Sequence, residues 1–289
     1  MLMKQANGLN GLGAPPAVQV IAVASGKGGV GKTSVAVNLA MTFAMSGRQT
    51  MLLDADLGLA NVDVLLGLQP MRHLGHLLDG HCGIADVVVE APHGLKIVPA
   101  TSGVHRMSEL STAEHAGLIR AFCSYSDPVE TLIVDTAAGL SESVTMFCAA
   151  AREVLVVVCD EPASLTDAYA LIKVLSREYG VRRFRMVANR VANVQQGRDL
   201  CDKLTRVADR FLEVGIEFAA AIPEDEFLQR AIRRQAAVVD AYPGSRSALA
   251  FKNLAQAADK WETTSAIGGH LEFFTERRVR AAQPAAVVS

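Results

Sequence analysis

GKGGVGKT, residues 26–33, decides how this chain is read. It meets the spacing G-x-x-x-x-G-K-[ST]. In that pattern glycines let backbone N–H groups close around phosphate oxygens, the lysine reaches the β- and γ-phosphates, and the hydroxyl serves Mg²⁺. Lys32 and Thr33 hold those last two positions. The segment also carries one lysine more than the pattern needs. Lys27 stands at the start of the loop, where a side chain points away from its own nucleotide and towards whatever docks on that face. A site completed by a second subunit is the expectation.

The flanks agree. VQVIAVA (18–24) is an apolar, β-branched run before the loop, and VAVNLAMTFAM (35–45) is a helical run after it. Strand, loop and helix are what phosphate binding requires, because the helix N-terminus adds its dipole. The candidate nucleotide contacts are Gly26, Gly28, Gly29, Val30, Gly31, Lys32, Thr33 and Ser34.

Further apolar strand-like runs are expected at 50–54, 95–98, 131–135, 154–159, 184–188 and 217–222. Helical patterns are expected at 112–123, 143–151, 164–179, 196–211, 227–234 and 247–261. Continuous rather than alternating apolar strands imply burial on both faces. The fold class is therefore α/β, a mostly parallel twisted sheet with helices on both faces. Ligands in such folds lie at the carboxyl ends of the strands.

Two more motifs fall at such ends. DADLGLANVD (54–63) closes the second strand, and its acids would hold a water near the γ-phosphate or ligate Mg²⁺ through water. Asp56 is the preferred water-positioning residue and Asp54 its support. Two acids packed in apolar surroundings repel each other and need a cation. LIVDTAAG (132–139) ends a second strand, with Asp135 facing the metal's water shell and Gly139 letting a loop approach the γ-phosphate. Thr33, Asp56 and Asp135 are thus the metal candidates, and Lys27, Lys32 and Asp56 the catalytic ones.

Composition narrows the function. The 289 residues are 50% hydrophobic with a formal net charge of −2, enough for a sizeable core and without a basic block in the body of the chain. Specific DNA binding is not expected. No apolar run approaches the ~20 residues that cross a bilayer, so a cytoplasmic location is expected. Cys82, Cys123, Cys148, Cys159 and Cys201 are scattered and odd in number. They read as buried small hydrophobes rather than disulfides or zinc ligands.

KGGVGKT with its leading lysine, DADLGLANVD and VDTAAG together resemble the MinD/ParA group of deviant Walker A ATPases. DEPASLTDAYALIK (160–173) and GHLEFF (269–274) are similar, more narrowly, to the FleN/FlhG flagellar-number regulators. The resemblance covers residues 18–280. It divides the chain into a flexible segment (1–17), a MinD-like ATPase domain (18–262) and a tail (263–289) with an amphipathic helix.

The resemblance implies ATP/ADP and Mg²⁺ as cofactors and an ATP-bound homodimer. Lys27 would cross to the partner's phosphates, Lys32 and Thr33 would act in cis, and Asp56 would orient the attacking water. Asn189 and Pro223 would surround adenine, although both also read as ordinary turn residues. Two Lys27 side chains at one interface repel unless triphosphates lie between them, so pairing would be coupled to ATP and hydrolysis would be slow.

The partner implied is the flagellar transcription activator FleQ. The GTPase FlhF is a second, because Gln5, Ala6 and Leu9 match a D-Q-A-x-x-L-R activator helix. Lys4 and Asn10 depart from it and Gly8 weakens any helix, so a disordered tail competes with that reading. LEFFTERRVR (271–280) places Leu271, Phe274 and Val279 on one helical face among arginines. It reads either as a membrane anchor, which would put the chain peripherally at the inner face of the cell membrane or the cell pole, or as a segment whose aromatics pack on the domain. A MinD-like positioning ATPase and a ParA-like DNA partition ATPase remain as alternatives. The loop LGLANVD lacks the partition branch's PQG pattern, and no cysteine pair suits an iron–sulfur carrier.

Overall fold

The structure is a computed structural model that describes residues 18–59, 61–100, 110–261 and 273–274. Eight strands form one sheet: β1 (Gln19–Ser25), β2 (Thr50–Ala55), β3 (Val89–Ala91), β4 (Leu95–Val98), β5 (Thr131–Ala138), β6 (Glu153–Val158), β7 (Arg183–Val191) and β8 (Gly215–Pro223). Their order across the sheet is β3-β4-β2-β5-β1-β6-β7-β8. Every neighbouring pair is parallel except β3 and β4 at one edge.

The two faces of β1 follow from side-chain alternation. Val20, Ala22 and Ala24 point into a core shared with Phe122, Phe147, Leu171 and Leu200. Ile21 and Val23 point the other way, into a core with Val35, Leu39, Phe43 and Phe251. Helices Thr112–Ala121, Glu142–Ala150, Pro162–Tyr179 and Val194–Ala208 contribute to the first layer, and Lys32–Met45 and Arg246–Ala258 to the second. With both faces covered, a central strand such as β6 is buried at every residue.

Helix starts are set by local chemistry. Ser111, Ser141, Asn193, Asp225 and Ser245 each accept a bond from a first-turn N–H, which is worth about 1 kcal/mol per cap. Ends depart more from the sequence reading. The helix expected to reach 211 stops at Ala208 and leaves Phe211 exposed. The strand expected to stop at Asp135 continues to Ala138, carrying the chain past the loop it serves.

Of the cysteines, Cys148, Cys159 and Cys201 are buried as expected, while Cys82 and Cys123 are only half-buried. Phe273 and Phe274 settle part of the tail question. Their rings stand edge-on to Phe122 at 5.1 and 6.0 Å, and Phe273 stacks on Phe147 at 6.4 Å. Both are buried, so these two aromatics pack on the domain rather than standing free for a lipid surface. Residues 4–10 and the rest of 271–280 lie outside the described residues. No described helix is long and apolar enough to cross a membrane.

Candidate functional site

The loop is shaped by what surrounds it. A Cβ at Gly26 would lie 2.2 Å from the backbone carbonyl atoms of Asp167, so only glycine lets the loop press against the helix Pro162–Tyr179. Gly31 caps the helix Lys32–Met45 with φ 89°, and a Cβ there would meet the Asn189 amide at 2.3 Å. Over Gly28 and Gly29, by contrast, an added Cβ meets nothing within 4 Å. That side of the loop is the open mouth of a cradle.

Gly26→Ala is therefore expected to destabilise the fold by about 1–3 kcal/mol through overpacking. Gly28→Ala should leave thermal stability near wild type. Thermal unfolding of both variants checks this, and equal midpoints would contradict the contact.

Val30 anchors the loop from below. Its carbonyl accepts from the Asn189 Nδ2 at 2.7 Å and from the Cys159 thiol at 3.5 Å. Asn189, expected beside adenine, is thus buried and spends its amide on the loop. Pro223 closes β8 and lines a groove of about 450 Å³ with Asn193, Phe218, Arg246 and Leu249, and Asn189 is not among its walls.

The next residue departs from ordinary strand geometry. Arg190 is skipped in the β7–β8 register, has φ 57° and is exposed. A non-glycine residue held left-handed beside a site is a costly conformation, worth about 1–3 kcal/mol.

The charged centre is buried. Lys32 Nζ donates to Asp135 Oδ1 at 2.9 Å, with side-chain exposures of 8% and 1%. Asp54 lies opposite Asp135 in the β2–β5 register. Its carboxylate accepts the backbone N–H groups of Asp56, Asn61 and Val62 at 3.1, 3.0 and 3.1 Å, so it holds the turn that presents Asp56.

Burial, and then the charge of Asp135, push the Asp54 carboxyl up to about 7 against those three N–H groups. A raised acid binds its proton more tightly when folded. The contribution of Asp54 to stability therefore falls as pH rises from its ordinary 3.8 towards 7.

Asp56 is half-buried, accepts from Leu59 N–H at 3.1 Å, and is raised chiefly by burial. Lys32 lowers it and Asp135 raises it, so the carboxylate is within electrostatic reach of that pair. Thr33 and Ser34 start the loop helix. Gly139, with φ 100°, donates to Ser25 O at 2.9 Å and folds the end of β5 back onto the loop strand. The loop and the acids thus lie at the carboxyl ends of β1, β2 and β5, with Asn189 beneath the loop, while Pro223 ends β8 at the edge of the sheet.

Lys27 does not point into open space. Its ammonium pairs with Glu161, the residue that precedes helix Pro162–Tyr179. That bond raises the lysine and lowers the acid. Sequence reasoning quoted Glu161 only within a family-like stretch and passed over Arg190. The single signal for either was a charge at the carboxyl end of a buried strand.

Residues 21–238 match the model of the CobQ/CobB/MinD/ParA nucleotide binding domain. The chain is 55% identical to the antiactivator FleN of Pseudomonas aeruginosa, over 93% of this chain and 96% of that one. It is 32% identical to the flagellum site-determining protein YlxH of Helicobacter pylori, over 74% and 73% of the two chains. Among solved structures, the cell division ATPase MinD of Pyrococcus furiosus superposes with a TM-score of 0.71 at 25% identity, covering 84% of this chain and 99% of that one. The phosphate loop, the buried lysine–aspartate centre and these likenesses agree: the chain belongs to the MinD/ParA family of nucleotide-binding ATPases, as a relative of the flagellar antiactivator FleN.

Proposed function

We propose that this protein is a Mg-ATP-dependent dimerising switch that limits flagellar number by binding and antagonising the flagellar transcription activator FleQ. One observation carries the switch. Of the two loop lysines, Lys32 is buried and committed in cis, whereas Lys27 sits at the rim on an exposed pair it can exchange. The likeness to FleN supports the flagellar role.

The residues fit the ligand. Gly28 and Gly29 leave the cradle open, the helix N-terminus at Gly31 offers backbone donors, and Lys32 can pass from Asp135 to a phosphate. Thr33, Asp56 and Asp135 supply the oxygens a hard cation prefers. Mg²⁺, when bound, screens phosphate charge and so eases attack on the γ-phosphate. Asp56 orients the attacking water from its turn, Asp54 holds that turn through three backbone bonds, and Lys27 serves the partner's phosphates. Residues 18–262 form the ATPase domain in this reading. Activation of FlhF would fall to residues 1–17, and membrane contact to the tail.

The FleQ-directed reading is favoured over a membrane-positioning one because Phe273 and Phe274 are buried against Phe122 and Phe147. Size-exclusion chromatography tests the switch. A single protomer is expected with ADP and a dimer with a non-hydrolysable ATP analogue, the dimer alone retaining purified FleQ. The same size in both nucleotides would overturn the reading.

A further inference from the structure

Glu161 bonds one cation and has a second on the neighbouring strand end. Lys27 bonds it directly, and the two are presented by elements in close contact, since Gly26 is pressed onto the backbone of Asp167 at a distance only glycine allows. Arg190 comes from β7, at the residue the β7–β8 register skips. Bulges re-aim side chains next to functional sites, and the left-handed φ of 57° is the conformational cost of this one. Ala188 pairs with Val158 in the parallel β6–β7 register, so Arg190 and the turn Cys159–Glu161 leave neighbouring strand ends side by side, and the arginine's charge acts on both Glu161 and Cys159. The Arg190 guanidinium makes no hydrogen bond or ion pair with a described residue.

We propose that Glu161 is a cis latch on Lys27 and that Arg190 is the cation that takes Glu161 over when Lys27 leaves for a second copy of this chain. The inference rests on the dimerisation proposed above and adds the step that sets its threshold. In the single protomer the carboxylate holds Lys27 at the rim. For Lys27 to reach a partner's triphosphate, that pair must break. Both members are exposed, at 39% and 52%, so the pair is weak, but its loss still subtracts from the free energy of pairing. Transfer of the carboxylate to Arg190 returns part of that loss. Glu161 and Arg190 are positioning residues: they act through Lys27, and they act in opposite directions.

Opposite signs make the test decisive. Analytical ultracentrifugation measures the concentration of a non-hydrolysable ATP analogue that gives half-maximal dimer. Glu161→Gln is expected to lower that concentration about threefold, because Lys27 starts free. Arg190→Gly, which removes the guanidinium while relaxing the backbone, is expected to raise it about threefold. Arg190→Lys should stay near wild type.

The double variant should behave as Glu161→Gln alone, because without the latch there is nothing for Arg190 to receive. Shifts of both single variants in the same direction, as a general loss of stability would produce, overturn the latch. So does additivity in the double variant. Wild-type protein that stays single in the analogue refutes the dimer reading and the latch with it. Wild-type protein that pairs while the variants merely track it refutes the latch alone.

Discussion

Lys32→Ala is expected to lose ATP binding by roughly a hundredfold or more, and to unfold more easily even without nucleotide. Lys32 is the one described cation bonded to either of two buried carboxylates, Asp135 and Asp54, which face each other across β5 and β2. Removing one partner from a buried pair leaves an uncompensated charge and costs about 3–5 kcal/mol. Binding falls for a separate reason. A charge-assisted bond to phosphate is worth about 1.5–3 kcal/mol, and a lysine ammonium carries three donors. Equilibrium dialysis with ATP and urea denaturation read the two effects independently. Affinity within a few-fold of wild type would remove Lys32 from the phosphate site, and unchanged urea stability would show that the pair with Asp135 is incidental. The pH dependence has a sign as well. In the wild-type protein the contribution of Asp54 to urea stability is expected to fall as pH rises from 3.8 towards 7.

That coupling was only half legible in the chain. Asp54 and Asp135 each end an apolar strand-like run and Asp56 follows Asp54 by two residues, so their arrival at one edge of a parallel sheet follows from pattern and topology. The need for a cation between paired acids was also readable, but not which lysine supplies it, because the Lys32–Asp135 contact spans 103 positions.

The long helices declared themselves through periodicity. The helices Val62–Leu66, Leu74–Leu78 and Ile84–Val87 did not, since four or five residues are too few to show a period. Leu74–Leu78 is capped by His73 and His76 in place of the usual hydroxyl and carboxylate. Strand β3 hid for a related reason: three residues with Glu90 in the middle do not read as a strand until β4 pairs with them. Asn189 shows the limit most clearly. At a strand end beside a phosphate loop, an amide can face a base or the loop itself. Its bond to the Val30 carbonyl spans 159 positions, so no local pattern announces it.

Asp56→Ala is expected to keep nucleotide binding, to lower hydrolysis by about 10²–10³, and to hold the protein as a dimer in ATP. The geometry separates this residue from its neighbour. Asp54 is saturated by three backbone N–H groups and buried away from any incoming water. Asp56 keeps one oxygen bonded to Leu59 N–H, and its half-buried carboxylate retains an oxygen for a water. Truncating Asp56 therefore removes a positioned acceptor but leaves the turn standing, whereas Asp54→Ala would release the turn and lower binding, stability and turnover together. Phosphate release under saturating ATP gives the rate, and multi-angle light scattering on the same sample gives the mass. A dimer with a silent active site is the expected state. If Asp56→Ala is monomeric in saturating ATP, or hydrolyses at the wild-type rate, the water-positioning role belongs to another group. If Asp54→Ala and Asp56→Ala prove indistinguishable in all three measurements, the two acids act as one structural unit.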